Sequence, residues 1–323
     1  MVGGEIRKMP SISQLEYAIA VDTHRHFARA AKACFVTQPT LSAQLAKLED
    51  ELGVVIFDRS VQPIVPTERG HAILAQARQV VAEFKKVQAV AAGVAHEVVG
   101  DFIIGVIPTV APYVVPLFLE SLSNDNPRLR IEVREMTTAA ILEALDRELI
   151  DVGLLAIPVE NAAYATESLF VEPFYLYVHA SHGLAQSRKI KASDIDGKDI
   201  WLLEEGHCLR GQILQACKLK GRKAALTNVR FESGSIETLK RLVQNGLGYT
   251  LIPHLAVGDL EADSDQIKIV AIDAPTPARE IGMMYRRAQL KRPSLDALSQ
   301  AIKKNLPRSL IAAGKNVQVI GVE

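Results

Sequence analysis

The chain has 323 residues, 48% of them hydrophobic and 23% charged, which is enough for about two domains with sizeable cores. That excludes a small disulfide-stapled scaffold and a largely disordered chain. Charge balances at 37 basic against 37 acidic residues, so the total points to neither a nucleic acid nor a membrane. The three cysteines, Cys34, Cys208 and Cys217, are too few and scattered for a secreted framework, and the sequence has no signal-like or membrane-length apolar run. A cytoplasmic protein without a membrane partner is expected.

Residues 1–95 carry a net charge of +2 and the remainder −2. Between Asp22 and Glu49 stand Arg25, Arg29, Lys32 and Lys47 with no acidic residue, so one face of an N-terminal domain is locally positive. Short helices are predicted over 13–21, 28–33 and 38–48. Thr37 is placed to cap the third, and Pro39 falls in its first turn, where a missing N–H is harmless. Leu41, Leu45 and Leu48 form its buried stripe, leaving Gln38, Thr40, Ser42, Gln44 and Lys47 on a polar surface. Residues 58–66 suit a short hairpin or wing.

Residues 68–94 contain no proline and read as one long helix. Ile73, Ala77, Val80, Phe84, Val87, Ala91 and Val94 follow a 4-3-4-3-4-3 spacing, the seam of a dimerisation helix. The spacing is also compatible with a helix lying on its own domain.

After Gly100 apolar runs alternate with helical patterns: strands near 102–107, 129–133 and 152–157, with helices through 122 and over 138–149. This order implies a parallel sheet flanked by helices. It resumes with strands near 174–179, 200–203, 249–252 and 280–285, and helices near 207–220 and 236–245. Residues 170–173 and 275–279 are the expected crossovers between two α/β lobes.

The segment from Ala20 to Ser60 resembles the DNA-binding domain of LysR-type transcriptional regulators. The frame consists of Phe27, Ala30-Ala31, Gln38-Pro39, Leu41-Ser42, Leu48-Glu49, Leu52-Gly53, Phe57, Arg59 and Thr67. The resemblance implies an α/β protein: a winged helix-turn-helix over 1–67, a linker helix over 68–97, and a two-lobed α/β regulatory domain over 98–323 like periplasmic binding proteins. Lobe I would take about 98–172 and 277–310, and lobe II about 173–276. Gln38, Pro39, Thr40, Ser42, Gln44, Lys47 and Arg59 would meet double-stranded DNA, side chains reading base edges and cations neutralising phosphates. The wing, Ser60-Val61-Gln62-Pro63, lacks the basic residues many relatives carry there.

Cys34 is expected to pack as a small hydrophobe. Cys208 and Cys217 are nine residues apart, unlike redox CxxC or zinc pairs. Across a helix that spacing means roughly 13–14 Å between Cα atoms and opposite faces, whereas a disulfide needs about 7 Å or less. Any bond between them therefore requires the segment to unwind; two structural cysteines are the plain alternative.

The run Gly206-His207-Cys208-Leu209-Arg210, with a cysteine nine residues on, is similar to the peroxide-sensing branch of the family. So are the segments 107–113 and 135–138. This likeness implies that Cys208 is the peroxidatic thiol and Cys217 the resolving thiol, with Thr109, Thr138, His207, Arg210 and Arg286 around the peroxide. Gly211 stands where relatives commonly have Asp. The implied partners are operator DNA, RNA polymerase, hydrogen peroxide as signal, a thiol reductant, and further copies forming a homodimer and homotetramer. No cofactor or metal is expected. The competing readings are a regulator sensing a small organic anion between the lobes, with Arg210 and the hydroxyls as ligands, and a thiol peroxidase using Cys208. A periplasmic solute-binding protein shares the α/β half but not the DNA-binding domain.

Overall fold

The computed structural model describes residues 9–91, 97–158, 163–219, 231–258, 263–264, 266–287, 291–313 and 316–322. They divide into two compact units, one drawn from Met1–Glu97 together with Arg147–Leu149 and one comprising Val98–Asp146, Ile150–Arg287 and Lys291–Glu323.

The first unit orders as α1 (Ile12–His24), α2 (Phe27–Ala33), α3 (Gln38–Leu52), β1 (Phe57–Asp58), β2 (Val65–Pro66) and α4 (Glu68–Ala91). Ser11 and Gln14 form a capping box on α1, and Thr37 caps α3 by accepting from the Thr40 N–H. Leu41, Leu45 and Leu48 are fully buried in a core with Val21, Ala30, Ile56 and Phe57. The antiparallel pair β1–β2 is the wing. Thr67 Oγ1 accepts from the Gly70 N–H at the start of α4, and a Cβ on Gly70 would lie 2.0 Å from the Ile56 carbonyl oxygen, so only glycine lets α4 start this close. A buried ion pair, Arg78 to Asp22, ties α4 to α1.

The heptad seam divides along α4. Ala77 is buried with Val81 against Ile19, and Ile73 packs on the domain core. Val80, Phe84 and Val87 are 47%, 41% and 64% exposed, so the C-terminal half of the stripe is left largely uncovered among the described residues. Val94 lies outside the described residues.

The second unit continues with β3 (Gly100–Val106), α5 (Ala111–Asp125), β4 (Leu129–Glu135), α6 (Thr138–Asp146), β5 (Val152–Ile157), β6 (Tyr164–His179), β7 (Lys189–Ile190) and α7 (Cys208–Ala216). Then follow α8 (Ile236–Gln244), β8 (Tyr249–Pro253), α9 (His254–Val257), β9 (Asp263–Ser264), β10 (Ile267–Ile272), β11 (Thr276–Arg286), α10 (Arg292–Asn305), α11 (Arg308–Ala313) and β12 (Val317–Val319). The strand order is β4-β3-β5-β11-β6-β10-β7, with β8 on β6, β9 on β10 and β12 on β11.

The sheet is mixed, which corrects the all-parallel expectation: β3 runs parallel to β4 and β5, but β11 is antiparallel to β5 and β6. The expected strand at 174–179 begins ten residues earlier. The crossover expected at 170–173 falls inside β6, where the strand changes partners, from β11 up to Pro173 to β8 and β10 from Phe174 and Tyr175 onward. Residues 200–203 are buried but make only one bridge, Ile200 to Tyr249; apolar runs report burial, and a ladder needs a neighbour in register. The apolar core on this side gathers Phe174, Tyr177, Trp201, Leu209, Ile213, Cys217, Val243 and Leu251.

Candidate functional site

In the N-terminal unit the buried stripe of α3 turns its other face outward. Gln38, Pro39, Thr40 and Lys47 are exposed, while Ser42 and Gln44 are half-buried. Thr40 Oγ1 lies 2.8 Å from Thr37 Oγ1. Arg59 is committed within the domain: it pairs with Glu49 at 2.7 Å and its guanidinium sits 5.3 Å from the centre of the Phe27 ring. Glu49 also accepts from the Ile56 and Phe57 N–H groups, so Arg59 and Glu49 fasten the wing to α3. Arg29 and Lys32 on α2 are exposed and in no salt bridge among the described residues.

In the second unit β3 and β4 deliver their C-terminal ends to one edge of the sheet. Thr109 follows β3 and Thr138 opens α6 after β4. Cys208 is the first residue of α7, half-buried, and its Sγ lies 3.0 Å from Thr138 Oγ1. A thiol or a hydroxyl can donate in that contact; once the sulfur is a thiolate, Thr138 must. His207 is the N-cap of α7, 8% exposed, with Nε2 3.5 Å from Glu204 Oε1. A Cβ on Gly234 would come within 2.8 Å of that nitrogen, so the glycine gives the imidazole its room. The Arg210 guanidinium donates to the Leu203 carbonyl at 3.0 Å, bracing the turn before α7.

Cys217 sits at the other end, as the C-cap of α7, and is 4% exposed. Burial pushes its thiol up from 9.0 to about 12, because a thiolate there would lose its hydration. All three cysteines are free thiols. Burial, and then the charge of Glu16, raises the Cys34 thiol as well, and Cys34 packs on the helix-turn-helix core.

Thr109 is 2% exposed, and its partner is an arginine absent from the sequence reading. Arg279 donates to Thr109 Oγ1 at 2.7 Å and to the Thr109 carbonyl at 3.0 Å. The same guanidinium pairs with Glu172, directly across from it on β6, and both are at most 1% exposed. Glu172 also accepts from the Leu255 N–H at the start of α9. Removing one member of such a pair strands a buried charge, at about 3–5 kcal/mol. Arg286, expected near the peroxide, is corrected: it ends β11 opposite Tyr164, seven residues or about 23 Å along the strand from Arg279. The antiparallel course of β11 puts its start, not its end, at the edge that holds Thr109.

Beside His207 lies a cavity of about 520 Å³ lined by Pro112, Tyr113, Glu135, Glu204, His207 and Glu237, among others. Among the described residues no lysine or arginine lines it. Burial and a 2.7 Å hydrogen bond to Glu237 push the Tyr113 hydroxyl up. Although burial opposes it, hydrogen bonds from Lys240 and Tyr113 hold the Glu237 carboxyl below its usual range.

Residues 12–71 match the bacterial regulatory helix-turn-helix protein model of the lysR family, and residues 95–307 match the LysR substrate binding domain. The chain belongs to the LysR family of regulators. As a member it is a DNA-binding regulator rather than an enzyme. It is 36% identical over 296 residues, 92% of this chain and 96% of the relative, to the DNA-binding transcriptional dual regulator OxyR of Escherichia coli. Full-length Pseudomonas aeruginosa OxyR carrying a cysteine-to-aspartate substitution superposes with a TM-score of 0.79 at 30% identity, covering 92% of this chain and 99% of that one. A cysteine mutant of Corynebacterium glutamicum OxyR bound to H2O2 gives a TM-score of 0.61 at 26% identity, covering 97% and 98%. Among the described residues no helix is long and apolar enough to cross a membrane, and no group of three or more His, Cys, Asp or Glu is placed to hold a metal.

Proposed function

We propose that this LysR-family member is a cytoplasmic, peroxide-responsive transcriptional regulator whose DNA binding is switched by a Cys208–Cys217 disulfide. The observation that carries the reading is the Cys208 sulfur at the start of α7, 3.0 Å from the Thr138 hydroxyl, with its intended partner buried at the other end of the same helix. The positive end of a helix favours an anion formed there. A Cys208 thiolate attacks one oxygen of hydrogen peroxide; the O–O bond breaks, hydroxide leaves and takes up a proton, and the sulfur becomes a sulfenic acid. Thr138 and Thr109 supply hydroxyls for the peroxide. Because Thr109 Oγ1 already accepts from Arg279, its own proton is free to be donated.

The Cys217 thiol then attacks the sulfenic sulfur and water departs, leaving the disulfide. Residues nine apart on a helix are roughly 13–14 Å apart at the Cα atoms, so α7 must unwind for that bond to form. A thiol reductant restores the dithiol. The unwinding repacks the regulatory unit, and the bias is passed to the DNA-binding units of an oligomer.

The exposed stripe Val80, Phe84 and Val87 supports a dimer through α4, and pairs of dimers give the tetramer that meets operator DNA and RNA polymerase. Replacing Val80 and Val87 together by Glu is expected to lower the oligomeric mass in sedimentation; an unchanged mass removes that claim. The organic-anion reading is opposed by the glutamates Glu135, Glu204 and Glu237 that line the cavity beside His207.

Footprinting with thiol trapping tests the proposal. Wild type is expected to change its footprint with micromolar peroxide, Cys208→Ser to keep the reduced pattern, and Cys217→Ser to accumulate a sulfenic acid. A wild-type footprint that ignores peroxide sinks the switch.

A further inference from the structure

The turn of the helix-turn-helix holds a residue that the fold does not need. The Phe35 N–H donates to the Lys32 carbonyl at 3.2 Å and the Val36 N–H to the Ala31 carbonyl at 3.0 Å. These are the two bonds of a Schellman motif, which puts Phe35 at the position after the C-cap Cys34. That position requires a left-handed backbone, and Phe35 has φ 55°. Glycine or asparagine is the residue that normally adopts it, and a bulky side chain there is an outlier. The ring gains nothing from the protein in return: Phe35 is 97% exposed, while its neighbour Val36 packs on the domain core.

An aromatic ring that is both strained at the backbone and left in water points outside the chain. Its place says what it meets. Phe35 lies three residues before Gln38, continuous with the exposed first turn of α3, Gln38, Pro39 and Thr40. The exposed cations Arg29 and Lys32 precede it on α2. A recognition helix inserts its N-terminal residues into the major groove, so the turn ahead of it comes against the same duplex. The DNA surface that suits a phenyl ring is apolar: the 5-methyl of thymine or the carbons of deoxyribose.

We propose that Phe35 is a DNA-contacting residue that adds an uncharged, apolar contact beside the polar readout of α3. The inference rests on α3 being the DNA-reading helix. Its test uses the full chain and a duplex that this chain selects from a random-sequence library. Phe35→Gly and Phe35→Asn both suit the left-handed backbone, so Tm is expected to stay level or rise, while affinity falls on the order of tenfold. The slope of log Kd against log salt should not change, because no phosphate partner is lost. Replacing thymine by uracil across the site separates the two apolar surfaces. If wild type weakens at the uracil duplex and Phe35→Gly does not, the ring meets a methyl; if both respond alike, it meets deoxyribose.

Unchanged affinity in both variants overturns the proposal, as does weaker binding accompanied by a fall in Tm in both, which would assign Phe35 to the fold. Gln38→Ala is the control on the underlying reading. If it binds like wild type, α3 is not the reader; if it loses affinity while the Phe35 variants do not, only the proposal about Phe35 fails.

Discussion

The two ends of α7 place the same chemical group in opposite surroundings. At the start Cys208 is half-exposed, 3.0 Å from a hydroxyl and at the positive end of the helix. At the finish Cys217 is 4% exposed in an apolar cluster with Trp201 and Ile213, and burial pushes its thiol up to about 12. The difference is what the proposed switch requires of a sensing and a resolving thiol: one sulfur is open to a small polar oxidant, and the other is held inside the fold by the helix that buries it.

The contrast can be broken most severely at Cys217. In Cys208→Ser at pH 8, alkylation of Cys217 is expected to be about a thousandfold slower than for an ordinary thiol, since a value near 12 instead of 9.0 leaves that much less thiolate. Stopped reaction and mass analysis read the rate; alkylation as fast as a free thiol would remove the asymmetry. The raised value also means that the stability contributed by the buried thiol is intact below pH 9.0 and is lost as pH climbs toward about 12.

A smaller effect is expected at the other end. Thr138→Val keeps the shape but removes the hydroxyl beside Cys208, and should slow sulfenic-acid formation by roughly 10- to 100-fold with little change in Tm. Trapping of the sulfenic acid in Cys217→Ser measures it directly, and an unaltered rate would mean that Thr138 only packs.

The smallest effect concerns the helix between them. Gly211 lies inside α7, and a Cβ there meets nothing within 4 Å. Gly211→Ala should steady the helix by about 1 kcal/mol, and so reduce disulfide formation about fivefold at a fixed redox potential. An unchanged disulfide equilibrium would show that α7 does not need to unwind.

Much of this was legible in the sequence because it depends on local rules. The Thr37 cap, the Leu41, Leu45 and Leu48 stripe and the long α4 follow from helical periodicity and end chemistry. So does the argument that Cys208 and Cys217 cannot meet across a helix. What escaped is non-local. The Arg279–Glu172 pair joins residues 107 apart through the register of β11 on β6, and no spacing in the chain announces it. The resemblance points to Arg286 instead, and the direction of a strand, which excludes it, is invisible until its neighbours are known. The expected start of a strand at residue 174 fell short for the same reason: β6 runs unbroken from Tyr164, and Pro173 marks the point where this one long strand passes between partners. The seam of α4 was read as uniform, whereas packing assigns Ala77 to its own domain and leaves Val80, Phe84 and Val87 outward.

The measurement that bears most directly on the account is peptide mapping of the full chain after one equivalent of hydrogen peroxide, combined with hydrogen exchange across residues 208–217. The account predicts a Cys208–Cys217-linked peptide and a loss of amide protection across α7 in the oxidised protein. A linked peptide that forms while α7 stays protected, or a Cys208 that is oxidised without ever joining Cys217, would contradict it.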